Sequence, residues 1–316
     1  MTYGSFLRFF APPTFLSIPA VGIEISDKFV RALEFKGTPG SLRIAWWQEE
    51  SIPDGAVMGG VINKKAAVAD ALKKIRAEHK CLAAHFSITE QLSYLFEITV
   101  ANNTLQDTRQ AIGLRLEEEV PLKADDAIFD FTKISLNKYR AAAVPKKQAD
   151  ALVSVASEAG IAVLSIDTEP SAVARAVVGF HNKHSLMIVN SSEDDAGFYI
   201  AISGAVRFAS TVPIPSSSLS DESSRAALAK EAARVREFWD EHRGLDGAVQ
   251  AIVVCGRGAE NEEVLHSLSS FGLPVETASV WQNAFSVDKG VPTISLKNSL
   301  RFAVASGLAM RPFSYV

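Results

Sequence analysis

Three short apolar runs open the patterned part of the chain. Ala20 to Ile25 comes first, then, after a polar break at Ser26, Asp27 and Lys28, Phe29 to Phe35. Leu42 to Gln48 follows the turn residues Gly37, Pro39 and Gly40. Runs of this length between turn residues predict strands. The period then changes. Val68, Leu72, Ile75 and His79 fall four, three and four apart, the stripe of an amphipathic helix. Asn63 is placed to cap its start, and Asp70 stands four residues before Lys74 as a helical ion pair. The same order returns roughly 165 residues later. Ser185 to Asn190, Gly197 to Ser203 and Ala205 to Thr211 read as strands. After the polar stretch Ser216 to Ser224 comes a helix with Leu228, Ala232, Val235, Trp239 and His242 on one stripe. Strand, strand, strand, helix, twice over, predicts two similar α/β lobes facing each other across a cleft.

The stretch between the repeats has a different pattern. Tyr94 to Val100 is a strand, and Thr104 stands three residues before Asp107 as a capping box with Asp in place of Glu. The helix it opens runs through Leu105, Ile112 and Leu116 to Glu119, and Pro121 ends it. Ala127 to Lys133 and Arg140 to Val144 are further strands. A helix with Ala149, Leu152, Val153 and Ala156 on its inner face then stops at Gly160. The expected organisation is an aromatic arm (1–19), the first half of lobe I (20–84), an inserted α+β subdomain (85–166), a connecting helix (167–184), lobe II (185–298) and a closing helix (299–316).

Composition narrows the class. A chain of 316 residues is long enough for two separate cores. Its 32 basic against 36 acidic side chains, a net charge of -4, argue against nucleic acid as a partner. The apolar runs fall far short of the ~20 residues that span a bilayer. Two cysteines, Cys81 and Cys255, make no disulfide framework, and a reducing compartment fits them. Phe6, Leu7, Phe9, Phe10, Phe15 and Leu16 make the N-terminus apolar, but Arg8 and the Pro12-Pro13 pair break it up, which argues against a signal peptide. It reads as an arm packed on its own protein, with a membrane- or partner-touching segment as the alternative.

Ordinary catalytic constellations are missing. His181 and His184 have no carboxylate or cysteine at ligand spacing and read as a solvated loop. Nucleophile-elbow, Walker and G-x-G-x-x-G patterns are lacking. Four segments remain. Gly22-Ile23-Glu24-Ile25-Ser26 is a strand end that could offer N–H groups to a phosphate while its acid holds hydrated magnesium. Val189-Asn190-Ser191-Ser192 is its counterpart in the second repeat. Glu169 starts a helix in which Ala172, Ala174 and Ala176 permit close packing at a hinge. In Cys255-Gly256-Arg257-Gly258-Ala259, glycines after a buried strand would let a flat ligand approach the backbone.

These segments, in this order, resemble the actin-like ATPase superfamily and, within it, the PilM family of type IV pilus assembly proteins. Gly22 to Ser26 is similar to the first phosphate segment, Ser51 to Val57 to its following loop, and Glu169 to Ala176 to the connecting helix. Leu116 to Leu122 with Asp130-Phe131 resembles the inserted subdomain. Cys255 to Ala259 resembles the adenosine motif, and Ala305 to Arg311 the closing helix. The resemblance implies an actin-like, duplicated ribonuclease-H-like two-lobed fold with an inserted subdomain, the closing helix packing back on lobe I. It implies a cytoplasmic protein, peripheral to the inner membrane, that takes the cytoplasmic tail of a bitopic membrane partner, PilN in that family. Leu114, Glu117, Glu118 and Val120 are the candidates for that tail; self-association stays open.

By the same resemblance, Gly22, Glu24, Ser26, Asn190, Ser191, Ser192, Gly256, Gly258 and Ala259 form the nucleotide site, with Glu24 as magnesium ligand and Glu169 as the catalytic acid. The chain departs from the pattern there. Asn190 replaces an aspartate, Ser192 a glycine, and Glu193 to Asp195 add charge where a polyphosphate would arrive. Glu24 for Asp and Ser26 for Gly are milder changes. The expectation is a scaffold with a degenerate site that binds Mg-ATP weakly or not at all. An active ATPase or polymerising cytoskeletal or division protein is the alternative, and a sugar-kinase-like phosphotransferase a further one.

Overall fold

The computed structural model describes residues 19–38, 41–100, 104–244, 246–285 and 294–313. The expected aromatic arm, up to residue 18, lies outside the described residues. In the first lobe β1 (Val21–Ile25), β2 (Phe29–Thr38) and β3 (Ser41–Ser51) form an antiparallel meander. A short hairpin, β4 (Val57–Met58) and β5 (Val61–Ile62), leads into α1 (Lys65–His79), and β6 (Ala83–Ile88) returns parallel to β1. An inserted unit follows: β7 (Tyr94–Thr99), α2 (Leu105–Glu119), β8 (Ala127–Ser135) and β9 (Lys138–Pro145), its sheet ordered β7-β9-β8. The chain then re-enters the first lobe through α3 (Lys146–Glu158) and β10 (Ala162–Thr168), which pairs in parallel with β6.

Helix α4 (Glu169–Val177) crosses to the second lobe. There β11 (Ser185–Ser191), β12 (Ala196–Ile202) and β13 (Ala205–Val212) form another meander. Helix α5 (Glu222–His242), β14 (Ala251–Gly256), α6 (Glu262–Ser269) and β15 (Val275–Thr277) complete it. Helices α7 (Leu296–Leu300) and α8 (Ala303–Ala309) end the described chain. The sheet orders are β10-β6-β1-β2-β3 and β13-β12-β11-β14-β15. Each is three antiparallel strands followed by two parallel ones, so the duplication predicted from the strand pattern is present.

Local chemistry explains most of these elements. β11 is buried at every position, as a central strand covered on both faces should be. Helix α1 buries Val68, Leu72 and Ile75 against Ile23, Phe86 and Val155, and α5 buries Leu228, Ala232, Val235 and Trp239. Thr104 and Asp107 form the predicted capping box, each side chain accepting from the other's backbone N–H. The two stripes end differently. His79 is half-buried and stacks on Trp46 at 4.1 Å, continuing its stripe, whereas His242 is exposed and stacks on Phe238 at 4.2 Å. Val153 is exposed and Val155 takes the inner position on α3. Asp70 pairs with Lys73, and Lys74 reaches Glu50 on β3 instead of Asp70.

The inserted subdomain is smaller than 85–166. β6 and β10 belong to the first lobe's sheet, and α3 contributes Leu152 and Val155 to that lobe's core. The separate unit is the three-stranded sheet with α2, cored by Ile98, Ile112, Tyr139 and Ala141. Parallel pairing of β6 with β10 spans some eighty residues and leaves no local trace in sequence.

Helices α4 and α8 make the joint between lobes. Ala172, Ala174 and Ala176 are fully buried, as the small-residue stripe predicts. A Cβ on Gly307 would lie 1.7 Å from the Ala172 carbonyl oxygen, and one on Gly22 would lie 2.0 Å from that of Ala305. Arg175 donates to the Gly307 carbonyl (2.9 Å), and Asp167 joins Arg175 (2.7 Å) to Arg311 (2.9 Å). Helix α8 thus packs on β1 of the first lobe and on the connecting helix together.

Candidate functional site

Two tight turns face each other across the cleft. The first closes the β1–β2 hairpin. Ser26 Oγ donates to the Phe29 carbonyl (3.0 Å) and accepts from the Phe29 N–H (3.2 Å), while the Asp27 carboxylate accepts from Gly59 N–H (2.8 Å) and Gly60 N–H (3.2 Å). The second joins β11 to β12 and is wrapped around Ser192. Ser192 Oγ donates to Asp195 Oδ1 (2.5 Å) and accepts from the Asp194 and Asp195 N–H groups.

Arg31 lies between them. Antiparallel register puts it opposite Glu24 on β1 and opposite Glu49 on β3, so the three side chains form one cross-strand row. Its Nη1 is 3.5 Å from Glu24 Oε1, its Nε donates to Glu49 Oε2 at 2.6 Å, and its Nη2 donates to Glu193 Oε1 on the other lobe. Two more contacts cross nearby: Lys28 to Asp194 (2.6 Å) and Gln91 Nε2 to Asp195 Oδ2 (2.9 Å). Deeper in, Asn190 Nδ2 donates to Glu169 Oε1 (3.0 Å), the Tyr199 hydroxyl donates to the same oxygen (3.1 Å), and Cys255 Sγ donates to Asn190 Oδ1 (3.4 Å).

Burial dominates the acid chemistry. Glu24 is pushed up to about 8: burial raises it, Arg31 pulls the other way, and Glu169, Glu193 and Glu49 push it further up. Burial and the Asp195 charge raise Glu169 against the hydroxyls of Tyr199 and Thr89. Burial raises Asp195 too, opposed by its Ser192 hydrogen bond. Burial works against charge on Arg31, and Glu24, Glu193 and Glu49 more than reverse it, holding the guanidinium firmly protonated. One consequence is measurable. Glu24 carries a proton in the folded protein between about pH 4.5 and 8, where the unfolded chain has lost it, so this group weakens folding as pH rises through that window. Glu24→Gln should flatten the fall in stability over that window. The gain in unfolding free energy should be smallest near pH 4.5 and largest at pH 8, read from urea denaturation at several pH values.

Little space is left. The gap between the turns, bounded by Glu24, Ser26, Thr89, Glu169 and Asp195, holds about 40 Å³. The gap beneath Arg31, reaching Arg257 and Arg301, holds about 10 Å³. Ligand sites for organic molecules run from roughly 300 Å³ upward. A magnesium triphosphate needs free carboxylate oxygens for the metal and free donors for the phosphates. Here Arg31 holds Glu49 and Glu193, and the N–H groups of Gly59, Gly60, Asp194 and Asp195 are already bonded. Glu24 Oε2 is buried without a hydrogen-bond partner, but beside gaps of about 10 and 40 Å³ that cannot take a triphosphate, so the residues present do not fit that group.

The cleft brings together Glu24, Ser26, Glu169, Asn190, Ser192 and Gly256 of the sequence-predicted residues. Gly22 is not among them; its missing Cβ makes room for α8. Gly256 (φ +77°) and Gly258 also serve packing, because a Cβ on either would meet Ser191 at 2.2 to 2.3 Å. Ser191 and Ala259 are buried in that packing. The partner candidates lie on the inserted unit and divide. Leu114 is 82% exposed. Val120 is buried in the unit's own core with Leu116 and Ala143. Glu117 accepts from the Ala124 N–H (2.9 Å), and Glu118 pairs with Arg115 (3.3 Å). Sequence reasoning missed Arg31, Lys28, Glu49 and Tyr199. Arg31 had a signal: a two-residue Asp27-Lys28 turn closed between Ser26 and Phe29 sets Glu24 and Arg31 opposite one another.

Comparison with known proteins agrees with this architecture. The family model for type IV pilus assembly protein PilM matches residues 22–203. No curated protein matches the chain in sequence. Among solved structures, a PilM–PilN type IV pilus biogenesis complex superposes with a TM-score of 0.77 at 16% identity, covering 93% of this chain and 98% of that one. The ethanolamine utilization protein EutJ from Carboxydothermus hydrogenoformans gives 0.52 at 13% identity over 93% and 90%. MreB5 of Spiroplasma citri bound to ADP gives 0.52 at 12% over 95% and 97%. The solved structures establish an actin-like fold, and, with the family model spanning more than half its length, the chain belongs to the PilM family of type IV pilus assembly proteins.

Proposed function

We propose that this chain is a cytoplasmic docking platform of a type IV pilus inner-membrane assembly, binding the cytoplasmic tail of a bitopic PilN-like partner without a nucleotide cycle. The observation that carries this reading is the cleft, where Arg31 and Lys28 bind Glu49, Glu193 and Asp194, the chain's own donors hold Asp27, Glu169 and Asp195, and about 40 Å³ remains. ATP and magnesium therefore bind weakly or not at all, and Glu169 has no metal-held phosphate to act on. Attachment to the inner membrane runs through the partner in this reading; among the described residues no helix is long and apolar enough to cross a membrane. Likeness to a chain of a PilM–PilN complex over nearly its full length supports a role in binding such a partner.

The tail-binding surface is the exposed side of α2, with Leu114 as apolar anchor and the Arg115–Glu118 pair beside it. The test is a pull-down from membranes of the source cell, with and without Mg-ATP. Recovery of a single-span protein through its cytoplasmic tail in both conditions is expected; recovery only with Mg-ATP, or none, contradicts the reading. Leu114→Asp should weaken binding of a synthetic tail peptide at least about tenfold in calorimetry, because burying one leucine contributes about 1.5–3 kcal/mol. Its melting temperature should stay near the wild-type value, since Leu114 is largely exposed.

A further inference from the structure

Among the described residues, Arg31 and Glu193 are the buried side chains of the Arg, Lys, Asp and Glu class, at 3% and 6% exposure, and they pair with each other across the lobe boundary. A buried ion pair survives only when the remaining oxygens and N–H groups are also satisfied. Arg31 meets that demand with Glu49 at 2.6 Å and Glu24 at 3.5 Å, and its guanidinium lies 4.9 Å from the Phe29 ring centre. Glu24, Glu193, Asn190 and Arg31 line the same small gap. Arg257 and Arg301 reach the same gap from the second lobe's side of the chain, and Arg301 is held by Glu260 (3.2 Å), whereas Arg31 bonds carboxylates contributed by both lobes. Lys28 repeats the arrangement at the rim with Asp194.

We propose that the Arg31 guanidinium is a built-in cation that holds the two lobes closed in the place a metal–nucleotide would occupy. The inference rests on the reading of the cleft as non-nucleotide, and it adds that closure is permanent and supplied by the chain itself. Lobe I brings the cation and lobe II the Glu193 acceptor, so losing either opens the cleft. With Arg31 gone, the carboxylates of Glu49 and Glu193 lose their shared cation beside a protonated Glu24 and need another.

The experiment places spin labels at Lys65→Cys and Glu222→Cys, exposed positions in the first turns of α1 and α5, and measures the distance between them. One narrow distance, the same with and without Mg-ATP, is expected for the otherwise wild-type protein. Arg31→Gln and Glu193→Gln should each give a longer, broader distribution, and Arg31→Gln should lower the melting temperature by roughly 5–15 °C. Magnesium chloride at about 10 mM should recover a few degrees in Arg31→Gln and none in the wild type. Unchanged distances in both variants would overturn the latch while leaving the docking function standing. Closure that appears only with Mg-ATP would overturn both. If Arg31→Gln does not fold, Glu193→Gln alone decides, since it keeps Arg31 paired with Glu49.

Discussion

Replacing Gly307 with valine is expected to cost about 3 kcal/mol or more of unfolding free energy, enough to remove most of the soluble protein. Even the first added carbon would sit 1.7 Å from the Ala172 carbonyl oxygen, which belongs to the backbone of α4 and has no rotamer to change. The two helices would have to separate. That would break the Arg175 bond to the Gly307 carbonyl and expose the small-residue joint between the lobes. Gly244→Ala is the control. It has positive φ but open space around it, so only the backbone cost of about 1 kcal/mol applies. Urea unfolding of the two variants should differ severalfold. Similar losses would mean that α4 and α8 are not the joint.

Asn190→Asp should also be severely destabilising, although it restores the residue that the superfamily pattern carries there. In this chain the Asn190 amide donates to Glu169 at 3.0 Å and accepts from Cys255, in a pocket that already pushes the Glu169 carboxyl up. A carboxylate at that place loses the donor and faces a like charge. At ~4 Å and an effective dielectric of about 20, that repulsion is about 4 kcal/mol. One acid can escape by staying protonated, so the cost should shrink as pH falls from 8 towards 5. Thermal melts of Asn190→Asp across that range check the direction. A variant as stable as wild type at pH 8, or one that gains micromolar Mg-ATP affinity, would show that only the Asp-to-Asn change disables the site.

Much of the architecture was legible because local signals and global fold agree. The repeated strand–strand–strand–helix order, the Thr104–Asp107 box and the leucine and valine stripes of α1 and α5 were all present as spacing. The convergence of Glu24, Glu169 and Asn190 was legible through the resemblance to actin-like proteins. Arg31 was not. On the page it is an arginine in an apolar strand, and its Glu193 acceptor stands 162 residues away. The acids after Ser192 looked like uncompensated charge, and only the fold shows each of them matched: Glu193 by Arg31, Asp194 by Lys28, Asp195 by Gln91 and Ser192. The glycines were ambiguous for a related reason. A missing side chain signals close approach, and whether a ligand or another strand approaches depends on pairing that sequence spacing does not carry.

Isothermal titration of Mg-ATP into the full chain is the most direct test of the claim that its own side chains fill the cleft. The account predicts no heat of binding up to about millimolar nucleotide, where a working site in this range of affinities would release a saturating signal. A saturable isotherm with a micromolar dissociation constant, joined by a hydrolysis rate that Glu169→Ala abolishes, would contradict it.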